Sequence, residues 1–132
     1  MLLITGIVLV PAGLVMLWVA WASRRDRLRP NSAVGVRTRL TMECDLAWFA
    51  AQRAAASATA IGGVGALLGG IGAIVMAVVE SNRPGFSFPF AMATWTLLAL
   101  GAAGWSLAWT LTGVGRGSRA AEAVCTEQSG CS

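Results

Sequence analysis

The chain has 132 residues, of which 56% are apolar and only 12% charged, with a mean hydropathy of +0.68. Soluble domains carry about 25% charged residues and disordered chains still more, so both classes are excluded, and the length allows a single small domain. Ten Arg, no Lys and six acids leave a net charge of +4, and there is no His, which removes the commonest general base and the commonest zinc ligand.

In chain order, residues 2–23 form the first uncharged run, LLITGIVLVPAGLVMLWVAWAS. A bilayer core of about 30 Å needs roughly 20 helical residues, so the run is long enough to span. Ala20-Trp21-Ala22 fits a small-x-small cleavage site. The apolar run nevertheless exceeds the usual h-region, no cation precedes it, and Arg24, Arg25 and Arg27 follow at once. An uncleaved helix is therefore expected. Pro11, in mid-span, should kink it.

Residues 24–53 hold seven of the ten Arg. Within this loop Pro30 and Asn31 start a turn, and Gly35 permits a backbone angle other residues avoid. Thr41 is expected to cap a short interfacial helix with Glu43 and Asp45 in its first turn. Met42, Leu46 and Phe49 form one apolar stripe on that helix, and Cys44, Trp48 and Ala51 a second. One stripe suits lipid and the other protein. Arg53 leads into the next span.

The second uncharged run covers residues 54–79. Ala58, Gly62, Ala66 and Gly70 repeat every fourth residue, and Gly65, Gly69 and Ala73 do the same one stripe over. Small residues let membrane helices approach closely. The stripes serve packing within the chain, or a homo-oligomer or partner interface. The third run, 84–115, contains a span at about 89–112, with Pro89 in its first turn and Phe86, Phe88 and Phe90 at its outer end. Trp105 and Trp109 are read as anchors at its inner interface, as are Trp18 and Trp21 in the first span. Gly113-x-Gly115-x-Gly117 reads as a flexible exit into a short tail, 116–132.

These elements make an all-α polytopic membrane protein: one membrane domain over 1–115 with three transmembrane helices and a short interfacial helix between spans 1 and 2. The positive-inside rule places the Arg-rich loop and the tail in the cytoplasm and the N-terminus outside. The Ala, Gly and Arg bias without Lys fits a GC-rich bacterial genome, hence the bacterial plasma membrane. The basic loop attracts anionic lipid of the inner leaflet. It is too short and too close to the bilayer to bind nucleic acid.

The spans contain no acid, base or His, which disfavours ion-coupled transport and catalysis. Ser106, in a Gly-Trp-Ser-Leu-Ala context, has no His to activate it. Cys44, Cys125 and Cys131 lack metal-ligand spacing, so neither a metal nor a cofactor is expected.

The pattern Pro30-Asn31-x3-Gly35-x-Arg37-Thr38-x2-Thr41-x6-Trp48-x4-Arg53, set between two spans, resembles the SdpI-like family of bacterial membrane proteins. Arg39 stands where that family often has Pro. The resemblance implies a non-enzymatic protein that gives immunity against, or senses, a membrane-active peptide and docks a partner on the loop. The residues alone leave open a second role, as a small structural subunit of a larger membrane complex.

Overall fold

The computed structural model describes residues 2–30, 34–82 and 88–127; Asn31, Arg83, Phe86 and Cys131 lie outside these. The fold is all-helical: α1 (Leu2–Arg24), α2 (Arg39–Glu43), α3 (Asp45–Asn82) and α4 (Phe88–Glu127). Helices α1, α3 and α4 are each long and apolar enough to cross a membrane. Pro11 lies inside α1, which continues past it to Arg24. Pro89 falls in the first turn of α4.

Helix α3 is central, and α1 and α4 pack against its two sides. Both pairs run antiparallel. Gly70 lies against Leu9 and Val10, whereas Gly63 lies against Gly13 and Met16. On the other side Gly69 faces Ala102, Gly65 faces Trp105, and Gly62 faces Trp109 as well as Met16. A Cβ added at Gly69 would stand 3.0 Å from that of Ala102, and one at Gly62 3.1 Å from Met16 Cε. These glycines of the α3 stripes thus lie against α1 and α4 within the chain. Without a hydrophobic drive between helices in lipid, such close backbone approach supplies the dispersion contact that holds them together. Hydroxyls within the spans donate back along their own helices, as Thr59 does to the Ala55 carbonyl and Thr110 to that of Ser106, which removes the cost of an unpaired donor in hydrocarbon.

A Cβ at Gly65 would fall on the Trp105 indole. Gly65→Leu and Gly69→Leu are thus expected to lower the stability of the monomer in detergent, by about 1–3 kcal/mol each for overpacking. Thermal unfolding of the monomer, read by circular dichroism, checks this; an unchanged midpoint would place the stripe in lipid.

One feature of α4 differs from the sequence reading. The Gly113–Gly117 segment is not a flexible exit: α4 runs through it to Glu127. Gly113 and Gly117 are buried against α3, with Ala121 completing the stripe at the next turn. Tertiary contact outweighs the roughly 1 kcal/mol helix penalty of each glycine. Trp105 is 48% exposed. It lies in mid-helix at the level of Ile61, whose carbonyl accepts from its indole Nε1 at 3.2 Å.

With 38 residues, α3 is about 57 Å long at about 1.5 Å per residue, well beyond a hydrocarbon core of about 30 Å. Helix α4, with 40 residues, is similar. Both run past the apolar layer at the end where α1 meets the Arg-rich loop. There, with that loop and α2, they build a small packed head. The largest buried side chain, Trp48, lies in it, as do Val36, Ala47, Ala51, Ala121 and Thr41.

Candidate functional site

The head begins where α1 stops. Asp26 adopts a left-handed φ of 53°. Arg27 N then donates to the Ala22 carbonyl at 3.0 Å and Asp26 N reaches that of Ser23 at 3.5 Å. This pair of bonds is a Schellman end, with Asp in the place Gly usually takes. The reversal sends the chain back beneath α1. Asp26 also pairs with Arg53 at 3.3 Å, joining the two ends of the loop. Both side chains are about half exposed, so the pair contributes about 0–1 kcal/mol.

Two residues of α3 latch the loop. Trp48, fully buried, donates its indole Nε1 to the Leu28 carbonyl at 2.8 Å. One turn on, Gln52, also buried, donates Nε2 to the Val36 carbonyl at 3.3 Å. Apolar contact surrounds both bonds: Trp48 packs with Val19, Ala22 and Leu28, and Val36 packs with Ala51, Ala55 and Ala121.

The loop enters α2 through a capping box. Thr38 is the N-cap. Thr41 N donates to Thr38 Oγ1 at 3.3 Å, and Thr38 N to Thr41 Oγ1 at 2.8 Å. The expected helix thus starts three residues earlier than the Thr41 cap predicts, and Thr41 occupies N3. Its buried hydroxyl also stands 3.1 Å from the Val36 carbonyl, so one side chain satisfies both the cap and the loop. At Cys44 the backbone is extended, and a new helix starts at Asp45. The residues from Asp45 to Arg53 are therefore the first turns of α3. Trp48 and Ala51 face protein, and Met42 and Leu46 are about half exposed, but Phe49 of the outer stripe packs against the Trp48 cluster, so the two stripes do not separate fully.

Gly35 has a φ of 117°, and a Cβ there would collide with the Gln52 carboxamide. Both constraints call for glycine. Gly117 on α4 makes a matching approach: a Cβ would stand 3.0 Å from the Ala51 carbonyl and from Val36 Cγ2.

Of the residues singled out from the sequence, Gly35, Thr38, Thr41, Trp48 and Arg53 thus come together in the head. Pro30 is exposed at the turn, and Asn31 lies outside the described residues. Arg37 is exposed and has no ion pair among the described residues. Arg24, Arg25 and Arg27 point outward too, with the guanidinium carbons of Arg25 and Arg27 at 4.8 and 5.1 Å from the Trp21 ring. The sequence reading does not single out Gln52 or Ala121, and it takes Gly117 for part of a flexible exit. Gln52 is the one polar residue in a buried row, and the spacing Gly113, Gly117, Ala121 repeats the small-residue period of α3.

The loop with its Gly35, Thr38–Thr41 box and Trp48 latch, set between two membrane helices, coincides with a known family pattern. Residues 27–114 match the SdpI/YfhL protein family, which covers well over half of the chain. The chain belongs to the SdpI/YfhL family. The match takes in the head from Arg27, all of α2 and α3, and α4 as far as Val114. The SdpI/YfhL pattern thus coincides with the loop, its latch and the helices that carry them. Comparison with curated proteins and with solved structures gave no match.

Proposed function

We propose that this SdpI/YfhL protein is a non-enzymatic binding protein of a bacterial plasma membrane, with its Arg-rich head in the cytoplasm. It senses or neutralises a membrane-active peptide, and its basic loop docks an acidic partner beside anionic lipid. The observation that carries this reading is the latched loop. Trp48, Gln52 and Thr41 fix its backbone from inside, while Arg24, Arg25, Arg27 and Arg37 face out. A fixed backbone holds those cations at defined positions, and preorganisation of this kind lowers the entropic cost of docking. The absence of His from the sequence and of any acid or base within the apolar runs supports a non-catalytic role. A second reading, a subunit of a larger membrane complex, is favoured by α4, the least buried of the three spans.

Arg37 tests the docking role. A guanidinium offers a planar fork to carboxylate or phosphate, and Lys offers only charge. Arg37→Lys is expected to weaken retention of a co-purified partner, and cell survival against a membrane-active peptide, nearly as much as Arg37→Ala. Loss of one charge-assisted bond of roughly 1.5–3 kcal/mol corresponds to at least about tenfold. Arg25→Lys should be silent, because topology needs only charge. Equal tolerance at both positions would reduce the loop to a basic patch. Orientation is checked separately. A membrane-impermeant maleimide should leave Cys44 and Cys125 unlabelled on intact cells and react with a Cys placed at Ser81.

A further inference from the structure

The packing of α4 on α3 continues past the apolar layer into the head, as a ladder of small residues. On α4 the buried stripe is Gly113, Gly117 and Ala121, one helical turn apart. On α3 it is Ala55, Ala51 and Ala47, met in reverse because the helices run antiparallel. Gly113 lies against Ala55 and Ala58, and Gly117 against Ala51. Ala121 and Ala47 are fully buried in one cluster. The next step of this register sets Cys125 opposite Cys44.

The surroundings of the two thiols agree with the register. Both pack against the cluster of Val36, Ala47, Ala51, Ala55 and Ala121. Helix α2, whose C-cap is Cys44, touches α4, so the elements stay close at this last step. The helix spacing along the ladder suits a disulfide. A Cβ at Gly113 would stand 3.4 Å from Ala58 Cβ and 3.7 Å from Ala55 Cβ, and bonded cysteines hold their Cβ atoms about 3.5–4.5 Å apart. Both residues are thiols in the fold and only partly buried, which leaves them open to a small reagent.

We propose that Cys44 and Cys125 are an oxidation-sensitive pair, whose disulfide clamps the last turns of α4 to the corner between α2 and α3. The oxidant is a small-molecule disulfide. The thiolate of one cysteine attacks it, releasing one small thiol and leaving a mixed disulfide. The thiolate of the other cysteine then attacks the protein sulfur of that bond and releases the second small thiol. The protein gives up two electrons and two protons, and the small disulfide becomes two thiols. Closing a loop of roughly 80 residues restricts the unfolded chain, so the linked form is the more stable one. The clamp depends on the α3–α4 register and not on which side of the membrane the head faces.

The test uses the full chain, purified in mild detergent, fully reduced and then treated with excess oxidised glutathione. Peptides are mapped after cleavage by trypsin and a glutamate-specific protease, which separates Cys125 from Cys131 at Glu127. The Cys44 and Cys125 peptides are expected to be joined, in a protein that still runs as a monomer on a non-reducing gel. The thermal midpoint should rise by at least about 5 °C and fall back with dithiothreitol. Cys44→Ser and Cys125→Ser should each abolish the link and the rise, whereas Cys131→Ser should keep both. A link through Cys131 or between two chains would overturn the proposal. So would glutathione retained on both Cys44 and Cys125, both thiols left reduced, or a linked protein with an unchanged midpoint.

Discussion

Trp48→Ala is expected to cost about 3–5 kcal/mol, the range for removing a large buried aromatic without collapse of the site. Trp48 is fully buried and packs on Val19, Ala22 and Leu28, so its removal opens the joint between α1, the loop and α3 at once. Trp48→Phe keeps most of the packing and removes the donor to the Leu28 carbonyl. That change should cost about 1–3 kcal/mol, because the carbonyl is left buried without its partner. The check is unfolding by sodium dodecyl sulfate, followed by far-ultraviolet circular dichroism. Trypsin supplies an independent measure: the bonds after Arg25 and Arg27 should be cut faster as the loop comes off α3. Trp18→Ala is the control, since Trp18 is 58% exposed and should shift stability by no more than about 0.5 kcal/mol. Equal effects at positions 18 and 48 would remove the latch from the account of the head.

The legibility of this fold divides along the membrane surface. Inside the bilayer one rule dominates: an uncharged run of sufficient length must be helical. The three spans and the small-residue faces of α3 therefore stood out in the residues. Gly62, Gly65, Gly69 and Gly70 lie close against α1 or α4. Outside the bilayer, local rules compete with long-range ones. Thr38 and Thr41 are both good N-cap residues, and in the fold Thr38 is the cap, with Thr41 closing the box from N3. Gly113, Gly115 and Gly117 have low helix propensity, yet α4 continues because Gly113 and Gly117 fit against Ala55, Ala58 and Ala51. Partners 55 to 66 residues away in the chain leave no local trace. The same holds for Gln52. Its neighbours marked the row as apolar, but only the fold shows that the row faces Val36 and that a carboxamide is needed there.

The Gly35 prediction turns on that carboxamide. Gly35→Ala puts a β-carbon at a φ of 117° and into contact with Gln52. The dihedral alone costs on the order of 1–3 kcal/mol. Moving Gln52 aside also breaks its bond to the Val36 carbonyl, for a combined loss of about 2–5 kcal/mol. A double-mutant cycle separates the two causes. In a Gln52→Ala background the collision is gone and the dihedral strain remains, so Gly35→Ala should then cost only about 1–3 kcal/mol. Equal cost in both backgrounds would mean that Gly35 is required for its backbone angle alone.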